Sequence, residues 1–171
     1  MVEGGVRAVA HVRPDSGRLD EWRETFGDWG AEVDETPWDV ETMSAMLGHR
    51  QPDIVFGLVG TTLRRARAAQ KATGTKDTYE SVDYGLTKLL VDACRKAAVG
   101  PRFVYLSAYG TNAKAATAYG KARYKAEQAV VASGLPYVIV RPCIISGPGR
   151  DDIRLGEHVG AVVGDGLLGL A

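Results

Sequence analysis

Tyr119 and Arg123 lie four positions apart in a stretch whose pattern predicts a helix over residues 117–133. Four residues is close to one helical turn, so the phenol and the guanidinium share a face. A phenol ionises near pH ~10 and is a poor acid–base group at neutral pH, whereas a cation beside it favours the phenolate. Lys121 and Lys125 stand two and six residues from Tyr119 and fall on other faces. The same spacing also describes the ordinary polar face of an amphipathic helix, and the pair alone does not decide between the two. Other candidates are weaker. A GxGxxG match occurs at Gly164–Gly169, but only two residues follow it, so no helix there presents its N-terminus to a phosphate. Cys94 and Cys143 sit in apolar stretches without a CxxC or a neighbouring histidine, which predicts buried free thiols and neither a zinc site nor a disulfide framework. His11, His49 and His158 are scattered and read as surface or loop residues with no metal role.

The elements that must position these groups alternate. Val6–Val12 is a valine-rich run ended by Arg13-Pro14-Asp15-Ser16-Gly17, which reads as a buried strand and its exit turn. A short helix over Leu19–Trp29, a brief strand at Ala31–Val33 and a small helix from Val40 that stops near Gly48 follow. Asp53–Gly60 is nearly continuous apolar sequence, as expected of a parallel strand covered on both faces. Leu63–Thr78 begins basic and alanine-rich and becomes a loop, with no chemistry to assign. From Tyr79 onward, Val82, Leu86, Leu89, Leu90, Ala93, Cys94 and Ala97 trace one apolar stripe, marking a helix that Gly100-Pro101 ends. Arg102–Ser107 is a strand, 117–133 a helix closed by Gly134, and Pro136–Val140 a further strand. Strand–helix–strand alternation requires right-handed crossovers and predicts a single α/β domain, a doubly wound, mostly parallel sheet with helices on both faces.

Composition narrows the partners. The 171 residues carry 21 Lys plus Arg and 21 Asp plus Glu, so no excess of positive charge drives binding to nucleic-acid backbones or anionic membranes. With 45% apolar residues the chain can bury a core, yet no window approaches the ~20 apolar residues of a membrane span, and the start has no apolar leader run. The cytoplasm is the default compartment.

The block Phe103–Ser107, Tyr119, Glu127 and Leu135–Pro142, together with Asp53–Thr62 and Val82-Asp83-Tyr84, resembles the atypical short-chain dehydrogenases/reductases, which have an NAD(P)-binding Rossmann fold. The resemblance covers most of the chain from Val6 onward. It implies that Ser107 at a strand end and Tyr119 on the next helix flank the nicotinamide, with Arg123 where the family has lysine. Arginine keeps the charge but is bulkier and forked, so altered or reduced activity is expected. The implied cofactor is NADP or NAD. Arg13, at the position that reads the adenosine ribose, favours NADP. Asp39 would stand near the adenine, while Gly57, Gly60 and Thr61 would run beside the cofactor. Gly57 has an alternative role in relieving helix–strand packing. The loop formed by Arg141-Pro142 and Ser146–Arg150 would face a small-molecule substrate that the sequence does not identify.

The sequence departs from the family at its start: Val6 corresponds to the point where the family's first helix ends, so the glycine-rich phosphate loop is expected to be lacking. In the implied strand order 3-2-1-4-5-6, the strand expected to be missing separates Val6–Val12 from Asp53–Val59. The two edges either pair directly or make the protein a homo-oligomer, and the second outcome is favoured. The functional expectation is an NAD(P)-binding oxidoreductase-like protein with weakened cofactor binding. The alternative is a scaffold of the same fold serving as a non-catalytic binding or assembly module.

Overall fold

The computed structural model describes residues 5–62, 66–67, 69–71, 74 and 77–143. The 146–150 loop, the 164–169 glycine pattern and His158 lie outside the described residues. Strand β1, Val9–His11, pairs in parallel with β2, Glu32–Asp34, across helix α1, Leu19–Asp28. Helix α2, Val40–Arg50, starts on Asp39, whose carboxylate accepts the Thr42 N–H, and runs past the expected stop at Gly48. Its end is set instead by Gln51, the residue that takes the left-handed conformation (φ 50°).

A second parallel sheet has the order β3, Ile54–Gly57; β4, Arg102–Leu106; β5, Tyr137–Val140. Between β3 and β4 a π-helix, Tyr79–Leu86, runs directly into α3, Thr87–Lys96. Helix α4, Ala118–Val131, joins β4 to β5, with Thr117 as its N-cap and Gly134 in the left-handed turn beyond its end. The parallel α/β architecture is as the alternation predicts. The sheets are separate, however: β1 and β3 share no hydrogen-bonded ladder, so the two edges do not close on each other.

Phe103 and Tyr105 of β4, both fully buried, form the centre of the core with Met43 and Leu47 of α2, Leu90, Val91 and Cys94 of α3, and Ala126 and Val130 of α4. All these helices lie on one face of the second sheet. On the other face, to which alternate strand residues point, Ile54, Phe56, Val138 and Val140 remain 43–58% exposed. The expectation that β3 is covered on both faces is therefore not met among the described residues.

The π-helix changes another expectation. An α-helical period would turn Val82 and Leu86 to the core, but the wider turn brings in Asp83 and Thr87, both fully buried, and leaves Val82 and Leu86 half-buried. Cys94 is buried as predicted, and burial pushes its thiol up to about 11. Cys143 is exposed instead, because it follows the end of β5. No helix among the described residues is long and apolar enough to cross a membrane.

Candidate functional site

The strands of the second sheet run parallel, so their C-terminal ends share one edge. Gly60 and Thr61 follow β3, Ser107 follows β4 and Arg141 follows β5. Open α/β sheets bind ligands outside this edge. Helix α4 crosses behind it and offers Tyr119, Arg123 and Glu127 at steps of four, one face of a helix.

Arg123 is buried, and its Nη1 donates to the Leu106 carbonyl at 2.7 Å and to the Tyr105 hydroxyl at 3.2 Å. Its Nη2 stands 3.0 Å from Asp83 Oδ1. Asp83 is itself fully buried and accepts the Thr61 N–H on Oδ2 at 3.1 Å. Burial pushes the Asp83 carboxyl above its ordinary range; the charge of Arg123 and the Thr61 N–H oppose that rise. Neither Asp83 Oδ1 nor Arg123 Nε has a hydrogen-bond partner, so the pair is held by charge without an aligned donor. Gly60 lies directly on this pair: a Cβ there would stand 2.6 Å from Arg123 Nη2. The loop after β3 is thus tied to α4 and to the end of β4 through two buried charges.

Tyr119 is half-buried, edge-on to Tyr79 at 5.3 Å between ring centroids. The Arg123 guanidinium lies 5.3 Å from the centre of the Tyr119 ring. The cation therefore meets the face of the phenol, while its hydrogen bonds go to β4.

Ser107 is buried, with Oγ 2.6 Å from Glu127 Oε1 and 3.4 Å from Thr111 Oγ1. Glu127 also receives a two-pronged contact from Arg141, Nε to Oε1 at 2.8 Å and Nη2 to Oε2 at 2.7 Å. Burial raises the Glu127 carboxyl, but the hydrogen bonds from Arg141 and Ser107 outweigh it and hold the group below its ordinary value.

The other candidate positions are occupied by local structure. Gly57 faces the Phe103 ring, which a Cβ would meet at 3.0 Å, the packing role left open for it by the sequence. Asp39 caps α2, and its carboxyl is lowered by the Thr42 hydroxyl and N–H. Arg13 is exposed at the exit of β1 and leans toward Asp15 at 3.6 Å. Neither Arg13 nor Asp39 joins the cluster around Arg123. Sequence reasoning assigned no role to Asp83 or Glu127 and placed Arg141 only in the substrate-facing loop, whereas its side chain pairs with Glu127; the one available signal was a carboxylate in each of two helices that otherwise pattern as apolar on their inner face.

The edge brings together a phenol, one buried cation, Arg123, and one exposed cation, Arg141, groups that suit the nicotinamide end of a dinucleotide. A pyrophosphate needs an uncapped helix N-terminus without acids. The first turns of α1, α2 and the π-helix carry Asp20 and Glu21, Glu41, and Glu80, and the acid-free N-terminus of α4 is capped by the Thr117 hydroxyl, which accepts the Gly120 N–H, so these ends do not provide one.

Solved structures share the fold. The chain is similar to a protein assigned as an epimerase from Burkholderia cenocepacia J2315, with TM-score 0.64 and 21% identity over 88% of this chain and 50% of that one. The Bordetella bronchiseptica enzyme WbmH in complex with NAD+ gives TM-score 0.62 and 21% identity over 94% of this chain and 55% of that one. The Citrobacter sp. triphenylmethane reductase complexed with NADP(H) gives TM-score 0.53 and 16% identity over 78% of this chain and 39% of that one. The chain spans about half the length of the first two and less of the third. No curated protein sequence matches it. Residues 18–165 match the model of the NAD(P)H-binding family, and the chain belongs to that family.

Proposed function

We propose that the chain is the nucleotide-binding part of an NAD(P)-dependent oxidoreductase. Tyr119 acts as proton donor to a small-molecule substrate, Arg123 as its charged partner, and Ser107 orients either a carbonyl or the phenol. The observation that supports this most is Tyr119 over the Arg123 guanidinium, one helical turn apart on α4, beside the end of β4. The cofactor, when bound, supplies or accepts the reducing equivalents, and Gly60 and Thr61 would lie alongside it. Arg13, exposed at the end of β1, favours NADP over NAD.

A second reading, a non-catalytic binding or assembly module, draws on two contacts. Arg123 is charge-balanced by Asp83, and the Ser107 hydroxyl contacts Glu127. The exposed apolar face of the second sheet supports a homo-oligomer in either case. Oxidation of NADPH in the presence of a panel of small carbonyl compounds separates the readings. Under the first, wild type turns over and Tyr119→Phe abolishes turnover while leaving NADPH affinity within about twofold, because only a hydroxyl is removed. Full turnover by Tyr119→Phe would remove the assigned role.

A further inference from the structure

Glu127 is a charged group that the proposed reaction does not use. It is only 1% exposed, eight residues beyond Tyr119 on α4, and three hydrogen bonds converge on it from two strand ends. A carboxylate flanked by both prongs of a guanidinium is ionised and accepts without donating. The hydrogen between Glu127 and Ser107 therefore belongs to Ser107, and their 2.6 Å separation is that of a charge-assisted O–H to carboxylate bond. A serine hydroxyl has one hydrogen. With it on Glu127, the 3.4 Å contact to Thr111 has Thr111 as the donor, and Ser107 keeps only lone pairs for any further partner.

We infer that Glu127, fixed by Arg141, is a positioning residue that holds Ser107 as an obligate hydrogen-bond acceptor. Of the two roles open to Ser107, this excludes polarising a carbonyl by donation and leaves orienting a donor, the phenol hydroxyl of the resting site, whose single hydrogen leaves Ser107 when Tyr119 gives it to the substrate. A serine that merely filled space would not need an ionised carboxylate from α4, itself held by the guanidinium that follows β5, to meet it. The choice between the two catalytic roles rests on the oxidoreductase reading above; the location of the proton does not.

The test follows the carboxyl of Glu127 by NMR in protein labelled at glutamate side chains, titrated with acid. Ser107→Ala removes one oxygen and leaves the ion pair in place, and is expected to raise the Glu127 midpoint by about one pH unit, since a lost hydrogen bond to the charged form disfavours it. Ser107→Thr, which restores a hydroxyl, returns the midpoint to its wild-type position. An unmoved midpoint in Ser107→Ala overturns the inference. So does a wild-type spectrum in which the Ser107 hydroxyl proton exchanges as freely as that of an exposed serine. In turnover, Ser107→Ala and Glu127→Gln should each lower kcat, and the double variant should be no worse than the poorer single one. Multiplicative losses would show that the two act independently and would also overturn it. Absence of turnover in wild type would sink the oxidoreductase reading, while the Glu127 midpoint would still decide where the proton resides.

Discussion

Replacing Arg123 with methionine removes one half of the Asp83–Arg123 pair and leaves the other in place. Asp83 is fully buried and Arg123 only 8% exposed, so water does not screen the loss. Breaking a buried pair by deleting one partner costs about 3–5 kcal/mol, most of it the burden of an uncompensated charge. The loss includes the bonds to the Leu106 carbonyl and the Tyr105 hydroxyl. Against a total stability of about 5–15 kcal/mol this is a large fraction. With a urea slope of about 2 kcal/mol per molar, the midpoint of unfolding should fall by about 1.5–2.5 M. Adding Asp83→Asn should recover at least half of that loss, because the amide needs no counter-charge. The pH dependence gives an independent sign. Asp83 has its folded-state value raised above 3.8, so the stability linked to it is present at low pH and is lost as pH rises through the folded value. Without Arg123 that value rises further, and Arg123→Met should gain stability on mild acidification from neutral pH relative to wild type. A cost below about 1 kcal/mol, or a double variant that loses the sum of the two single losses, would show that the charges are not coupled.

Two further outcomes follow from the same geometry. The 171-residue chain should bind NADPH more weakly than micromolar by calorimetry, because acids stand at the first turns of α1, α2 and the π-helix and Thr117 caps the start of α4; a micromolar or tighter constant would mean that the loop over Gly57–Thr62 anchors the phosphates. Gly57→Ala should destabilise by about 1–3 kcal/mol in urea unfolding, since its Cβ would lie 3.0 Å from the ring of the fully buried Phe103, and a neutral substitution would show that the ring is free to move.

The sequence made the order of elements legible because strand and helix periods differ and the turn residues between them are strong. Thr117, Gly134 and Gly100-Pro101 bound α4 and end α3 close to where they were expected. What it hid was set by geometry that a regular period cannot express. The π-helix shifts the buried stripe by one residue, which turned Asp83 inward and Val82 aside. Cys143 reads as apolar sequence yet lies past the end of β5, where the chain leaves the core. Tyr119 and Arg123 share a helix face by their spacing, whereas the partner of Arg123 lies 40 residues upstream and the partner of Glu127 lies just past the end of the next strand, pairings that local pattern does not record.

The two hidden carboxylates change the meaning of the two visible cations and of the serine. Arg123, alone on its helix face, looks like an activator of Tyr119; paired with Asp83 it also fastens the Gly60–Thr61 loop to the end of β4. Arg141 looks like a loop residue, but with Glu127 it fastens the end of β5 to α4 and takes in Ser107. Each clamp joins α4 to the C-terminal edge of the sheet, one helical turn apart, and each contains one acid and one base. The net charge added to the edge is near zero, so a dinucleotide's negative charge is not drawn in by these groups. Their contribution is to fix where the backbone and the Tyr119 ring stand. An Arg123→Lys variant therefore tests position more than charge. The ammonium retains the attraction to Asp83 but has no planar fork to reach Leu106 and Tyr105 as well, so turnover should fall even though the family's usual residue is restored, and a gain in turnover would show that charge at this position matters more than the anchoring of β4.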